Sequence, residues 1–463
     1  MHASMHATDL PTRLGDTPPS RSLKAHELAH LIGAPEPTTH LDAIRGASHH
    51  SGRIREGDAF FALPGQDHHG IEHAEAALAA GASLIVSDQP HPQGLQVAHP
   101  GDAMLTLGRW ARRNYGGPVV AITGSAGKTT ARGLLAATLH AHASSGNLNT
   151  PHALAGILLK AWSDDDGRPL VIETGIDHVG EMDVLASLVT PTVALLTAIA
   201  ASHLDGLGDV ATVAHEKSKL LQAATHRYAA LAAWRRLDPA LAARTTPYVL
   251  HDANEPNETT LPPATWSGTL AGDALAPTLS VQPPKREPRG PIPLPGVGRG
   301  LAESAIASLA VADHLGIDLD AAAERLPDAN LEPGRLHVQR HDGFILIDDT
   351  YNANPASMQH ALALLQAAPR PRVALLGDMR ELAHEADHHH ETLGLQSRGL
   401  DRVAFHGDHA AAVLTGNPDT EVLDLNGMLA LARTLPRHGT ILIKASRSMR
   451  FERLVEALLA ERP

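Results

Sequence analysis

One short segment constrains this chain more than any other: Ile122-Thr123-Gly124-Ser125-Ala126-Gly127-Lys128-Thr129-Thr130. It follows an apolar run at 119–123 that reads as a buried strand, and it leads into a helical pattern at 129–140. A glycine-rich turn between strand and helix gathers backbone N–H groups and the positive end of a helix dipole at one point, which suits polyphosphate. In that reading Gly124, Ser125, Ala126, Gly127, Lys128, Thr129 and Thr130 hold the phosphates. Lys128 neutralises the outer phosphate charge, and Thr129 offers a hydroxyl to Mg²⁺. The usual spacing begins with Gly where this chain has Ile122, so the loop is the shortened variant Gly-x-x-Gly-Lys-Thr.

The rest of the chain alternates strand-like and helix-like segments. Strands are read at 59–63, 83–87, 170–173, 193–197, 344–348, 373–376 and 441–443, and helices at 71–80 and 301–315. That order predicts an α/β fold with mostly parallel sheets covered by helices. With 463 residues and roughly 150 per domain, about three domains are expected. Their boundaries are read as 1–98, 99–333 and 334–463. Residues 1–22 read as a loose leader and the Pro-rich stretch 89–101 as a linker. Residues 251–300 read as irregular β and loop structure.

Composition excludes several functions. The absence of Cys removes disulfide scaffolds, Cys-ligated metals and a catalytic thiol. A formal net charge of -13 argues against nucleic acid as a partner, because phosphate backbones need clustered Lys and Arg. The 31 His invite a metal-protein reading. Their spacing supports only isolated positions, since the run His388-His389-His390 would point three ways around a helix. The most apolar long stretch, 186–201, is too short and too polar to span a bilayer, and no apolar signal-peptide region opens the chain. A cytoplasmic protein without membrane insertion is expected.

Further segments carry a resemblance. Asp348-Asp349-Thr350-Tyr351-Asn352-Ala353-Asn354-Pro355-Ala356-Ser357-Met358, Leu376-Gly377-Asp378-Met379-Arg380-Glu381-Leu382 with His390, and Lys444-Ala445-Ser446-Arg447-Ser448-Met449 join the variant phosphate loop. Together they resemble the Mur ligases, ATP-dependent amide-forming enzymes of peptidoglycan precursor synthesis. The pattern around Tyr351 is most similar to the member that adds D-alanyl-D-alanine to UDP-N-acetylmuramoyl-tripeptide. The resemblance implies a three-domain architecture with a central P-loop ATPase domain and a Rossmann-like C-terminal domain.

It also implies roles for single residues. Thr129, Glu173, His203 and Lys217 would hold Mg²⁺ near ATP, with Lys217 carbamylated. Lys128, Lys217, His203 and Glu173 would form the catalytic set. Addition of CO₂ to a neutral lysine amine makes a carboxylate on a long arm, which suits a hard cation. The amine must first be desolvated or crowded by cations to lose its proton. The family's acidic residue two positions later is Lys219 here, and register favours Lys217 over it. Arg335, Asp349, Asn352 and Asn354 would contact ATP. Lys444, Ser446 and Arg447 would lie at the acceptor amine, and Ser51, Phe60, Asn147 and Asn149 at the UDP-linked donor.

The chain departs from the pattern at further places. His50-Ser51-Gly52 lacks the family's arginine, His69-Gly70 replaces its Asp-Gly, and the 294–302 segment lacks its Gly-x-His-Asn opening and later Asn. A related ligase with a different carboxylate donor and amine therefore stands as the alternative. A non-catalytic nucleotide-binding regulator and a motion-coupled NTPase are the remaining rivals. The partners expected are small molecules and the expected state is a monomer.

Overall fold

A computed structural model of the chain describes residues 21–37, 40–65, 68–144, 148–251, 261–341, 343–434 and 438–460. Its contacts resolve two compact units. The first ends at Gly117 and includes His152–Arg168; the second comprises Pro118–Pro151 and the chain from Pro169 onward.

In the first unit four parallel strands lie in the order Gly46–Ser48, Asp58–Phe61, Leu84–Ser87 and Gly94–Gln96. Parallel strands covered on both faces read as unbroken apolar runs, and Asp58–Phe61 and Leu84–Ser87 are buried at every position. The stretch 89–101 is not the linker expected. It supplies the edge strand Gly94–Gln96 and the start of the helix Pro100–Asn114, where Pro100 takes the first helical position that needs no N–H donor. Trp110 of that helix meets Trp162 edge-on with ring centroids 4.7 Å apart, tying residues 152–168 to this unit.

Among its described residues the second unit carries two sheets. In the first, the described strands run in the order Arg289–Pro293, Ala276–Gln282, Trp266–Asp273, Thr246–His251, His226–Ala230, Val193–Leu196, Val119–Thr123, Leu170–Glu173 and His142–Ala143. From Trp266–Asp273 to His142–Ala143 every pairing is parallel. Residues 251–300 were expected to be irregular β and loop; the β is regular, Trp266–Asp273 joining the sheet parallel and Ala276–Gln282 and Arg289–Pro293 extending it antiparallel. Only alternate residues of Ala276–Gln282 face inward (Pro277, Leu279 and Val281), so no continuous apolar run announces the strand. The helix Arg299–His314 is buried along most of its length, as its small apolar residues require.

The remaining sheet runs His337–His341, Phe344–Asp349, Thr440–Lys444, Arg372–Gly377, Arg402–His406 and Glu421–Val422, parallel except for its first pair. Successive residues of each strand enter opposite cores. Ile345, Ile347, Ala374, Leu376 and Leu442 face one layer, while Phe344, Leu346, Val373, Leu375, Ile441 and Ile443 face the other. Helices Pro355–Ala367 and Ala386–Ser397 cover the first face, and Leu425–Arg433 and Glu452–Ala460 the second. Among the described residues no helix is long and apolar enough to cross a membrane.

Candidate active site

The strand Val119–Thr123 lies between Leu170–Glu173 and Val193–Leu196, and the chain places its next strand, His142–Ala143, beyond the first of these. Strand order therefore reverses at Val119–Thr123, and open α/β sheets bind ligands at the carboxyl ends beside such a reversal. The glycine-rich loop leaves from that end. Gly124 has φ 152°, and a Cβ there would collide with Thr197. Gly127, at φ 80°, caps the helix Lys128–Thr138. Both positions need glycine.

Neighbouring side chains tie the loop in place. Thr197 Oγ1 donates to the Ala126 carbonyl at 2.5 Å, and Ser125 Oγ donates to that of Ala200 at 2.9 Å. Lys128 Nζ folds back onto the Gly124 carbonyl at 2.7 Å. Burial lowers the Lys128 pKa, and the Glu173 carboxylate opposes that shift.

Glu173 ends its strand and is 5% exposed. Its Oε2 accepts from Thr129 Oγ1 at 3.1 Å, and Arg132 Nη1 stands 3.0 Å from Oε1. Arg132 also pairs with Glu332. Burial pushes the Glu173 carboxyl up, and Arg132 and Lys128 pull it back. Oε1 is buried without a geometrically formed hydrogen bond. A buried carboxylate beside a threonine hydroxyl is a donor set that fits Mg²⁺.

Lys217, inside the helix Val210–Ala223, is 1% exposed and has no ion-pair partner among the described residues. Burial, reinforced by the Lys128 charge, lowers its pKa to about 7. Lys219 differs: it is held by Asp183 at 2.7 Å and Glu216 at 2.8 Å. His203, in the left-handed region at φ 52°, sets Nδ1 at 3.0 Å from Asp177 Oδ1 and 3.2 Å from Glu381 Oε2. Thus Thr129 and Glu173 touch, whereas His203 meets two carboxylates that the sequence reading did not single out for the metal set. Among the described residues no three His, Asp or Glu side chains form a ready metal cage.

In the other sheet of this unit, Lys444 Nζ lies 2.6 Å from Asp349 Oδ2 and donates to the Asn352 carbonyl at 2.8 Å. Asp349 Oδ1 accepts from the Leu336 N–H at 3.1 Å. Burial raises the Asp349 carboxyl, and Lys444 opposes it. Lys444 is 1% exposed, so it supports the turn from beneath instead of lining an acceptor surface. Asn354 caps the helix Pro355–Ala367, its Oδ1 accepting from Ser357 N–H at 2.8 Å, so its side-chain oxygen is engaged. The Arg335 guanidinium stacks 3.8 Å from the Tyr351 ring centroid, and that of Arg447 stands at 5.5 Å from it. Ser446 Oγ is buried and accepts from Arg380 N–H at 2.9 Å.

The donor residues are placed differently from one another. Ser51 opens the short turn Ser51–Arg53, capped by His50 Nδ1, which accepts from Gly52 N–H at 3.2 Å. The Phe60 ring is 1% exposed among Ala62, Ala74, Ala77 and Ile85, so it is a core side chain and cannot stack on a base. The Asn149 side-chain amide lies against Gly175, where an added Cβ would collide with its Nδ2. Asn147 lies outside the described residues.

Sequence reasoning missed Arg132, Asp177 and Glu381. Arg132 had a usable signal, standing one helical turn after Lys128 on the same face.

Two family models match the chain. One is the Mur ligase middle domain at residues 122–245, and the other is the Mur ligase, glutamate ligase domain at 334–447. The UDP-N-acetylmuramoyl-tripeptide–D-alanyl-D-alanine ligase of Escherichia coli (strain K12) is 30% identical over 426 residues, covering 88% of this chain and 92% of that protein. The ligase of the same name from Haemophilus influenzae is 28% identical over 424 residues, covering 86% and 90%. A crystal structure of MurF from Acinetobacter baumannii matches with TM-score 0.77 at 25% identity over 96% of this chain and 100% of that one. MurF from Thermotoga maritima in complex with ADP shares the fold, with TM-score 0.74 at 24% identity over 90% and 97%. On these matches the chain belongs to the Mur ligase family of ATP-dependent amide-forming ligases.

Proposed function

We propose that this ligase joins D-alanyl-D-alanine to UDP-N-acetylmuramoyl-tripeptide, the reaction for which its curated relatives are named. The observation that carries the reading is the Lys128–Thr129–Glu173 cluster at the reversal of one sheet, in the same unit as the Asp349–Tyr351–Lys444 cluster. A carboxylate oxygen of the donor peptide attacks the γ-phosphorus of ATP. The bond from that phosphorus to the β,γ-bridging oxygen breaks and ADP leaves. The free amine of the dipeptide then attacks the acyl carbon, an amide forms, and phosphate departs with the donor's oxygen.

The chain's own part is mostly positioning and charge. Lys128 exchanges the Gly124 carbonyl for a phosphate oxygen and stabilises charge as it develops. Thr129 and Glu173, with His203 and a carbamylated Lys217, would hold Mg²⁺, which supplies charge neutralisation at the phosphates when bound. A Lys217 pKa lowered to about 7 leaves part of the amine neutral near neutrality, which supports carbamylation: nitrogen bonds to the carbon of CO₂ and its proton passes to solvent. Arg335 and Tyr351 border the nucleotide. Three functional regions, 1–98, 99–333 and 334–463, would take donor, ATP and amine in turn. We place the enzyme in the cytoplasm as a monomer.

A panel of UDP-linked donors and amines, scored by phosphate release, tests this reading. Release should require UDP-N-acetylmuramoyl-tripeptide and D-alanyl-D-alanine together. Release with another donor–amine pair and none with this one would establish the alternative ligase.

A further inference from the structure

We infer that His390 is a positioning residue: it locks the turn Asp378–Glu381, which is tied at one end to Ser446, expected near the acceptor amine, and at the other to His203 on the ATP side. The inference rests on the proposed function for what those two ends do.

His390 is fully buried in the helix Ala386–Ser397. Its Nε2 accepts from Met379 N–H at 3.0 Å, so the proton resides on Nδ1, which donates to the Ala386 carbonyl at 2.7 Å. The ring lies flat on His409, centroids 4.4 Å apart, and edge-on to Phe405 at 5.9 Å. Both nitrogens are used and both ring surfaces are packed, so the ring has one orientation. Burial lowers its pKa, in keeping with the neutral form these bonds need.

The turn it holds is committed on all sides. Asp378, also fully buried, accepts from the N–H groups of Asp408 at 2.9 Å and His409 at 3.2 Å. Its carbonyl accepts from Ser446 N–H at 3.1 Å, while Arg380 N–H donates to Ser446 Oγ at 2.9 Å. This reciprocal pair fixes Ser446 to the turn. The next residue, Glu381, takes a left-handed φ of 64° and brings its carboxylate to 3.2 Å from His203 Nδ1. A left-handed glutamate costs conformational energy and persists where its surroundings over-determine it. Met379, 1% exposed and bonded to His390, is the anchor from which both arms extend.

The test compares His390→Leu, which keeps bulk but offers no acceptor, with His390→Gln, whose Oε1 can accept the Met379 N–H. Deuterium exchange of the 378–381 segment should rise in the Leu variant and return toward wild type in the Gln variant. KM for the dipeptide should rise about tenfold in the Leu variant, as expected for a buried donor left unpaired, and KM for ATP should rise with it because Glu381 of the same turn faces His203. Unchanged exchange at 378–381 in the Leu variant overturns the inference, and so does a Gln variant as impaired as the Leu variant. If the Leu variant fails to fold, Ser446→Ala decides. It must raise exchange in the same segment, and unchanged exchange overturns the inference. Wild-type protein inert toward the dipeptide would sink the functional reading, while the exchange results would still decide the positioning claim.

Discussion

Two lysines, Lys217 and Lys444, are each 1% exposed, yet their surroundings send them in opposite directions. Lys444 has a carboxylate at 2.6 Å and a carbonyl at 2.8 Å, so its charge is compensated and it braces the Asp349 turn. Lys217 has no ion-pair partner among the described residues and feels Lys128 nearby, so its pKa drops to about 7. Burial is equal and the partner differs. A paired buried lysine is a brace, whereas an unpaired one becomes a neutral amine available for chemistry.

The sharpest way to break that comparison is to remove each amine. Lys217→Met should cost turnover about a thousandfold, since the charge it organises at the phosphates is lost, while leaving folding stability equal or higher. Turnover assays beside urea midpoints would read both. Lys444→Met should instead lose roughly 3–5 kcal/mol of stability, because Asp349 would be left buried and uncompensated. If both variants lose mainly stability, the distinction between brace and reactive amine fails.

The pH dependence sharpens the same contrast. In CO₂-free buffer, where Lys217 carries no carbamate, burial lowers the folded amine to about 7 against about 10.4 for an unfolded lysine, so between these values the unfolded chain binds more protons. Wild-type stability should therefore rise with pH through that window relative to Lys217→Met, with the penalty fully present below it. Denaturant midpoints for both proteins at several pH values would show this slope difference, and parallel curves would contradict it. The smallest effect belongs to Asn354→Ala, which should cost about 1 kcal/mol as a lost helix cap and leave KM for ATP nearly unchanged. A raised KM with unaltered stability would return Asn354 to the nucleotide site.

Legibility in the sequence followed distance along the chain. The phosphate loop could be read because its strand, glycines and helix are contiguous, and the parallel strands because they are unbroken apolar runs. The β structure within 251–300 was read only as irregular, because in a strand such as Ala276–Gln282 only alternate residues are buried. Most of the site's partners escaped because they are remote: Arg132 meets Glu332, and His203 meets Glu381, only after the sheets form. Asn354 and Phe60 show the converse difficulty. Their positions could be read by resemblance, but the cap and the core contact that engage their side chains could not.

The central claim is that the donor carboxylate, not water, takes the γ-phosphoryl group. Donor labelled with ¹⁸O in its terminal carboxylate, incubated with ATP and D-alanyl-D-alanine, tests it directly by mass spectrometry of the released phosphate. The account predicts one labelled oxygen transferred to each phosphate as the amide forms. Amide product accompanied by unlabelled phosphate would contradict it.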